Sequence, residues 1–173
     1  MIQQKQALRE QMRERIGSLG EGARREASVV VARRLREHPL FREARVVYGF
    51  APRGDEVDWI GGGLESEKIW GFPWVENGVM RFAKVSSLED FDVRAFGIRE
   101  PRSREMAPAA DLVLVPGVAF TKTGLRLGRG KGYYDRFLSG LHASTLGVAF
   151  ACQVVEELPV EGHDVRVDGV VSG

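Results

Sequence analysis

Between Arg126 and Arg136 the chain reads Arg-Leu-Gly-Arg-Gly-Lys-Gly-Tyr-Tyr-Asp-Arg. Four cations, Arg126, Arg129, Lys131 and Arg136, are interleaved with glycines at 128, 130 and 132. Glycine admits φ > 0 and lets a ligand come close to the main chain. Successive N–H groups in such a loop form a concave nest suited to phosphate oxygens. Lys131 offers a point charge, and the arginines offer planar forks for phosphate or carboxylate. Tyr133 and Tyr134 add an aromatic wall, and Asp135 adds a carboxylate able to ligate a metal. The dull alternative is a solvated turn, which residue types alone leave open.

Two common phosphate motifs fail here. The P-loop requires G-x-x-x-x-G-K-[ST], but Gly130-Lys131 is followed by Gly132, and position 125 is Leu. The dinucleotide fingerprint G-x-G-x-x-G fails because position 133 is Tyr.

The elements that must position this loop are legible as a pattern. Residues 3–17 read as a helix with Ala7, Leu8, Met12 and Ile16 at roughly helical spacing, ended by Gly17 and Gly20. Residues 21–37 read as a second helix, ended by Pro39. Arg45–Phe50, Lys68–Phe72, Val79–Ala83, Ser144–Phe150 and a short Val165–Val171 read as strands. Pro73–Gly78 reads as a turn region. The segment Val57–Leu64 is open between helix and coil, because Gly61, Gly62 and Gly63 would each cost a helix ~1 kcal/mol. Residues 86–110, with Pro101 and Pro108, read as a long ordered loop. Asp111–Val115 is a continuous apolar run, expected as a central strand buried on both faces. A helix is expected from about Tyr133 to Ser139. Strands alternating with helices predict a single α/β domain over 1–173, with a mostly parallel sheet covered by helices on both faces, a Rossmann-like three-layer arrangement. The glycine loop then follows a central strand, where ligands bind in open α/β sheets, with a helix N-terminus aimed at the anion.

Composition narrows the function classes. The chain has 173 residues, 43% hydrophobic and 28% charged, with a net charge of +1. That charge exerts no global pull toward nucleic acid or a membrane. Cys152 is the single cysteine, so neither an intramolecular disulfide nor a cysteine-based zinc site is available. No apolar stretch approaches the ~20 residues of a membrane span, and Met1–Lys5 lacks an apolar signal core. A cytoplasmic monomer is expected. His38, His142 and His163 have no metal-ligand spacing and read as surface or capping residues.

The stretch from Pro116-Gly117-Val118-Ala119-Phe120 through Gly128-Arg129-Gly130-Lys131-Gly132-Tyr133-Tyr134-Asp135 resembles the signature of the 5-formyltetrahydrofolate cyclo-ligase family. Lys5-x-x-Leu8-Arg9, Asp55-Glu56, Phe96-Gly97-Ile98-x-Glu100-Pro101 and Val167-Asp168 extend the resemblance over nearly the whole length. Phe96 stands where a Tyr or Trp is usual. The resemblance implies ATP- and Mg²⁺-dependent ring closure of 5-formyltetrahydrofolate to 5,10-methenyltetrahydrofolate, with ADP and phosphate released. By the same resemblance ATP would be held by Lys5 and Arg9 on one face of the first helix, and by Arg126, Gly128, Arg129, Gly130, Lys131, Gly132, Tyr133 and Tyr134. The folate would meet Phe50, Ala51, Glu56, Met80 and Phe96, together with Arg129, Gly130, Lys131, Gly132 and Tyr133. Lys131, Arg129 and Tyr133 would be catalytic, and Asp135 and Asp168 would hold Mg²⁺. A folate binder without catalysis, and a sugar-phosphate isomerase using the loop for a monophosphate, are the rival readings.

Overall fold

The structure is a computed structural model describing residues 1–61 and 63–173. In chain order it comprises α1 (Ile2–Ser18), α2 (Gly20–Glu37), α3 (Pro39–Glu43), β1 (Val46–Tyr48), β2 (Ile69–Glu76), β3 (Val79–Val85), β4 (Phe91–Val93) and β5 (Arg99–Pro101). There follow β6 (Leu112–Val115), β7 (Ala119–Thr121), β8 (Arg126–Leu127), α4 (Tyr133–Leu138), β9 (Ser144–Ala149), β10 (Val154–Val155) and β11 (Gly169–Ser172).

The helices form for reasons visible in their periodicity. On α1, Lys5, Met12 and Ile16 are buried along one narrow stripe. On α2, Ser28, Val31, Ala32 and Leu35 follow the i, i+3, i+4, i+7 spacing of a core-facing stripe. Gly20 has φ +71°, which permits the sharp turn between the two helices. Pro39 does more than stop α2. It opens α3 at a first-turn position, and the His38 side chain accepts from the Leu40 N–H at 3.2 Å.

The main sheet runs β11-β9-β6-β1-β2-β3. All its pairings are parallel except β2–β3. Val31 and Leu35 of α2 pack on one face with Trp59, Trp70 and Phe72. Leu138 of α4 packs on the other with Tyr48, Phe82 and Phe120. The expected three-layer α/β architecture is what the chain forms. Leu112, Val113, Leu114 and Val115 are all 0% exposed, as a strand covered on both faces requires. Counted from β3, the order reverses between β1 and β6, giving the crevice where doubly wound sheets bind ligands.

Several expectations need correction. The turn region expected over Pro73–Gly78 is mostly strand: β2 continues to Glu76, and only Asn77 and Gly78 turn, both at positive φ. Pro73 is tolerated because β1 pairs with β2 only through Gly71, so no ladder bond is lost on that side. Residues 86–110 are not one loop. They include the β4–β5 antiparallel ribbon, with one short 3₁₀ turn leading into it and another joining its strands. The helix option for Val57–Leu64 fails over the described residues, which are irregular and pinned by Trp59, whose indole N–H donates to the Phe50 carbonyl at 3.1 Å. The part of that reading on Gly62 lies outside the described residues. A three-stranded sheet, β10-β7-β8, was not legible at all.

The small sheet explains part of the P-G-x-x-F signature. A Cβ at Gly117 would lie 2.6 Å from the Phe120 ring, and one at Gly147 would lie 2.5 Å from it. Both glycines therefore make room for one buried aromatic, and Phe120 serves packing rather than chemistry.

Candidate active site

The C-terminal ends of β1 and β6 diverge at the crevice. Phe50 and Ala51 follow β1, and Pro116 and Gly117 follow β6. A cavity of about 780 Å³ opens there. Its wall also includes the whole 126–135 stretch, Lys5 and Arg9 from α1, Glu56, Trp74, Met80, Ile98, and Glu161, His163 and Asp164.

The glycine loop forms the polar end. Gly130 has φ +103° and Gly132 φ +67°, conformations costly for any residue with a Cβ. Gly132 caps α4, which has only six residues. Arg9 Nε donates to the Gly128 carbonyl at 2.8 Å, so α1 is fastened to the loop that it borders. Arg126 is the buried member: Nη2 meets Asp135 Oδ1 at 2.9 Å, with side chains only 4% and 18% exposed. Its guanidinium also lies 5.6 Å from the Tyr134 ring centroid. Lys131 is exposed at the loop's tip. The Arg136 guanidinium lies over the Tyr133 ring at 5.2 Å.

Arg129 links the two ends of the cavity. Its Nη2 reaches Asp55 Oδ1 at 2.8 Å and Glu56 Oε1 at 2.9 Å. The other Glu56 oxygen accepts the Arg53 N–H at 3.0 Å. Beyond Glu56 the wall becomes apolar, with Phe50, Pro73, Trp74, Met80 and Ile98. The indole N–H of Trp74, the Tyr134 hydroxyl and Arg126 Nε are buried without a hydrogen-bond partner among the described residues. Buried polar groups are rarely left so. All three belong to residues that line the cavity. Burial, followed by the charge of Glu56, pushes the Tyr134 hydroxyl far above its ordinary range, so it stays a neutral donor.

Lys5 is engaged at the far polar end. Its ammonium lies 2.7 Å from Asp164 Oδ2 and 2.8 Å from Glu161 Oε2. Burial lowers the Lys5 pKa, but the bonds to Asp164 and Glu161 outweigh it, and the net shift is upward. His163 Nε2 is 3.8 Å from both acids. One ligand atom each from Glu161, His163 and Asp164 lies within 4.8 Å of the others.

Of the residues singled out in the sequence, the cavity gathers Lys5, Arg9, Phe50, Ala51, Glu56, Met80, Arg126, Gly128–Tyr134 and Asp135. Two do not join them. Phe96 sits at the tip of the β4–β5 ribbon with φ +60° and is fully exposed; its neighbour Ile98 lines the cavity instead. Asp168 faces the edge of β9, where Oδ2 accepts the Thr145 N–H at 2.8 Å and its hydroxyl at 3.0 Å. The late acid on the cavity is Asp164, four residues earlier. His163 is exposed, as expected of a surface residue, and also borders the cavity. Trp74 was missed because Pro73 reads as a turn; its aromatic character was the available signal.

The carboxylates set an acid limit on stability. Burial raises Asp55 and Asp164, but Arg129 and Lys5 respectively more than offset it. Asp111 is held low by the backbone N–H groups of Val46 and Arg45. All three therefore have folded pKa values below their unfolded ones. Their stabilisation is present above the unfolded carboxylate range near ~4 and is lost as pH falls through the lower folded values. The melting temperature is expected to hold at mildly acidic pH and to fall below about pH 4. Asp111→Asn, remote from the cavity, should flatten that acid limb in a calorimetric pH series; an unchanged limb would refute its assigned part.

A glycine- and arginine-rich loop beside an apolar wall, at the switch point of a three-layer sheet, is the arrangement of an α/β enzyme site. Residues 1–173 match the family model described as the 5-formyltetrahydrofolate cyclo-ligase family, and the chain belongs to that enzyme family. A 5-formyltetrahydrofolate cyclo-ligase from Mus musculus is 27% identical, over 96% of this chain and 92% of that one. The NMR structure of an Aquifex aeolicus 5,10-methenyltetrahydrofolate synthetase superposes with a TM-score of 0.83 at 35% identity, over 97% of this chain and 89% of that one. A Mycoplasma pneumoniae 5,10-methenyltetrahydrofolate synthetase has the same fold, with a TM-score of 0.73 at 20% identity, covering 96% of this chain and 97% of that one. No helix among the described residues is long and apolar enough to cross a membrane.

Proposed function

We propose that the protein closes the ring of 5-formyltetrahydrofolate to give 5,10-methenyltetrahydrofolate, using ATP and releasing ADP and phosphate, as a cytoplasmic monomer. The observation carrying this reading is Arg129, which joins Glu56 of the folate end to the glycine loop of the phosphate end. A formyl group oriented at Glu56 and a γ-phosphate on the loop would meet there.

The formyl oxygen is a poor leaving group until phosphorylated. It attacks the γ-phosphorus, the bond to ADP breaks, and an iminium phosphate results. N10 then attacks the activated carbon, its proton is lost to the departing phosphate or to solvent, and the C–O bond to phosphate breaks. Phosphoryl transfer of this kind depends on positioning and charge neutralisation. Lys131 and Arg129 would balance charge on the transferring group, and Tyr133 would hold the junction between the two substrates. Arg9, Arg126 and the amides of 128–132 would cradle the remaining phosphates, with Lys5 at their end. Phe50, Ala51, Trp74, Met80 and Ile98 would enclose the pterin and exclude water.

Mg²⁺ binds through one or two carboxylates plus phosphate oxygens. Asp135 and Asp164, both on this cavity, would supply such oxygens by giving up part of their pairing with Arg126 and Lys5, and carboxylate oxygens suit a hard cation. Bound there, the ion would neutralise phosphate charge.

The test is to mix the protein with 5-formyltetrahydrofolate and Mg²⁺, with and without ATP, and follow the near-ultraviolet band of the methenyl product. An ATP-dependent rise is expected. Saturable folate binding without a rise would leave a binder, and absence of both would overturn the reading.

A further inference from the structure

The cavity has a second cationic feature besides the glycine loop. The β4–β5 ribbon and the residues just after it carry four arginines, Arg94, Arg99, Arg102 and Arg104. Arg94 and Arg104 are paired with Glu100, at 3.5 and 3.6 Å, and Arg102 is paired with Asp92 at 3.0 Å. Arg99 forms no ion pair among the described residues, and it alone of the four lines the cavity. Its guanidinium rests 6.0 Å from the Phe91 ring centroid and reaches the Pro52 carbonyl at 3.5 Å. That carbonyl directly precedes Arg53, a second cavity-lining arginine whose side chain has no ion pair among the described residues. Glu100 shares this rim, but its charge is already balanced by Arg94 and Arg104.

An unpaired arginine fork matches carboxylate geometry. Here two approach one rim, beside the apolar wall formed by Trp74, Met80 and Ile98 and close to Glu56. A planar ring seated against that wall would share the cavity with Arg53 and Arg99, within reach of a chain attached to it. We infer that Arg53 and Arg99 recognise the carboxylates of the substrate's glutamyl tail, a subsite separate from the phosphate cradle; this rests on the cyclo-ligase reading. Lys122 is exposed and does not line the cavity.

The test compares wild type with the R53M/R99M double variant, in which methionine keeps most of each stem's packing. KM is measured for 5-formyltetrahydrofolate, for ATP, and for a folate analogue whose glutamate is replaced by an uncharged methyl amide. Charge-assisted hydrogen bonds of this kind predict a rise of about 10–100-fold in KM for the natural folate. KM for ATP and for the neutral analogue should stay within about twofold of wild type, a change too small to reflect a lost charged contact. Wild type should also discriminate against the neutral analogue, and the double variant should not. R53K/R99K, which keeps both charges, should lose less than R53M/R99M.

An unchanged folate KM overturns the inference, as does equal damage to both folates or a rise confined to ATP. Equal losses in the lysine and methionine variants also overturn it, because they would indicate packing rather than charge. If wild type itself neither turns over nor binds folate, the cyclo-ligase reading falls and takes this inference with it. An active wild type with an unaffected double variant removes the tail subsite alone.

Discussion

Lys131→Ala is expected to lower ATP-dependent turnover by about 10²–10³-fold, the effect of removing one aimed charge from a transition state, while leaving the circular dichroism spectrum and melting temperature essentially unchanged. The separation follows from the surroundings of Lys131. It is exposed at the tip of the glycine loop and forms no ion pair among the described residues. Surface substitutions of that kind usually shift stability by no more than about 0.5 kcal/mol. The neighbouring cations differ: Arg126 is tied to Asp135, Arg129 to Asp55 and Glu56, and Arg9 to the Gly128 carbonyl. Lys131 is therefore free to follow the phosphoryl group as charge spreads during transfer. Loss should appear in kcat more than in the KM for ATP, because the interaction strengthens on the way to the transition state. Lys131→Arg should recover only part of the rate, since a planar fork does not reproduce a compact ammonium. Full turnover in a natively folded Lys131→Ala protein would refute the assigned role.

The sequence revealed those parts of this molecule that local chemistry determines. Leu112–Val115 reads as a buried strand because four successive apolar residues suit a position covered on both sides, and all four are fully buried. The glycine loop reads as a candidate anion site, and the fold places its glycines and cations on the cavity wall. What stayed hidden was decided by distant partners. Asp164 and Asp168 have identical side chains four positions apart, and composition cannot rank them. The choice is made when the Val167 N–H bonds the Gly124 carbonyl at 2.9 Å. Gly124 has φ +87°, and a Cβ there would lie 2.0 Å from the Val167 carbonyl oxygen. This tight crossing pins the chain so that Asp164 stays with Lys5 while Asp168 is delivered to Thr145. Phe96 illustrates the same limit. Its motif looks like a site element, yet the turn of the β4–β5 ribbon holds it at positive φ and points it to solvent. The ribbon itself was illegible because three-residue strands with mixed polarity carry too little periodicity to separate from loop.

Asp135→Ala should be the most destabilising single change at the site, lowering the unfolding free energy by about 3–5 kcal/mol. Asp135 is the only carboxylate paired with Arg126 among the described residues, and the Arg126 side chain is 4% exposed. Its other contacts are poor: Nη1 reaches the Pro116 carbonyl at 3.3 Å, and Nε has no partner. Removing Asp135 strands a buried cation that the cavity cannot rehydrate fully. Asp135→Asn should cost less, since an amide oxygen can still accept from Nη2, although the charge is lost. The decisive comparison is the paired change Arg126→Met with Asp135→Leu. Replacing a buried ion pair by apolar groups of similar volume is often neutral or better for stability, so the double variant should regain most of the urea midpoint lost by Asp135→Ala. Turnover should not return, because the phosphate cradle would lack Arg126 and the cation site would lack a carboxylate. Stability and activity would then separate in one pair of residues, with the ion pair kept for its chemistry rather than for the fold. A wild-type urea midpoint for Asp135→Ala would show that Arg126 finds water or another acceptor, and recovery of turnover in the double variant would remove both residues from the reaction.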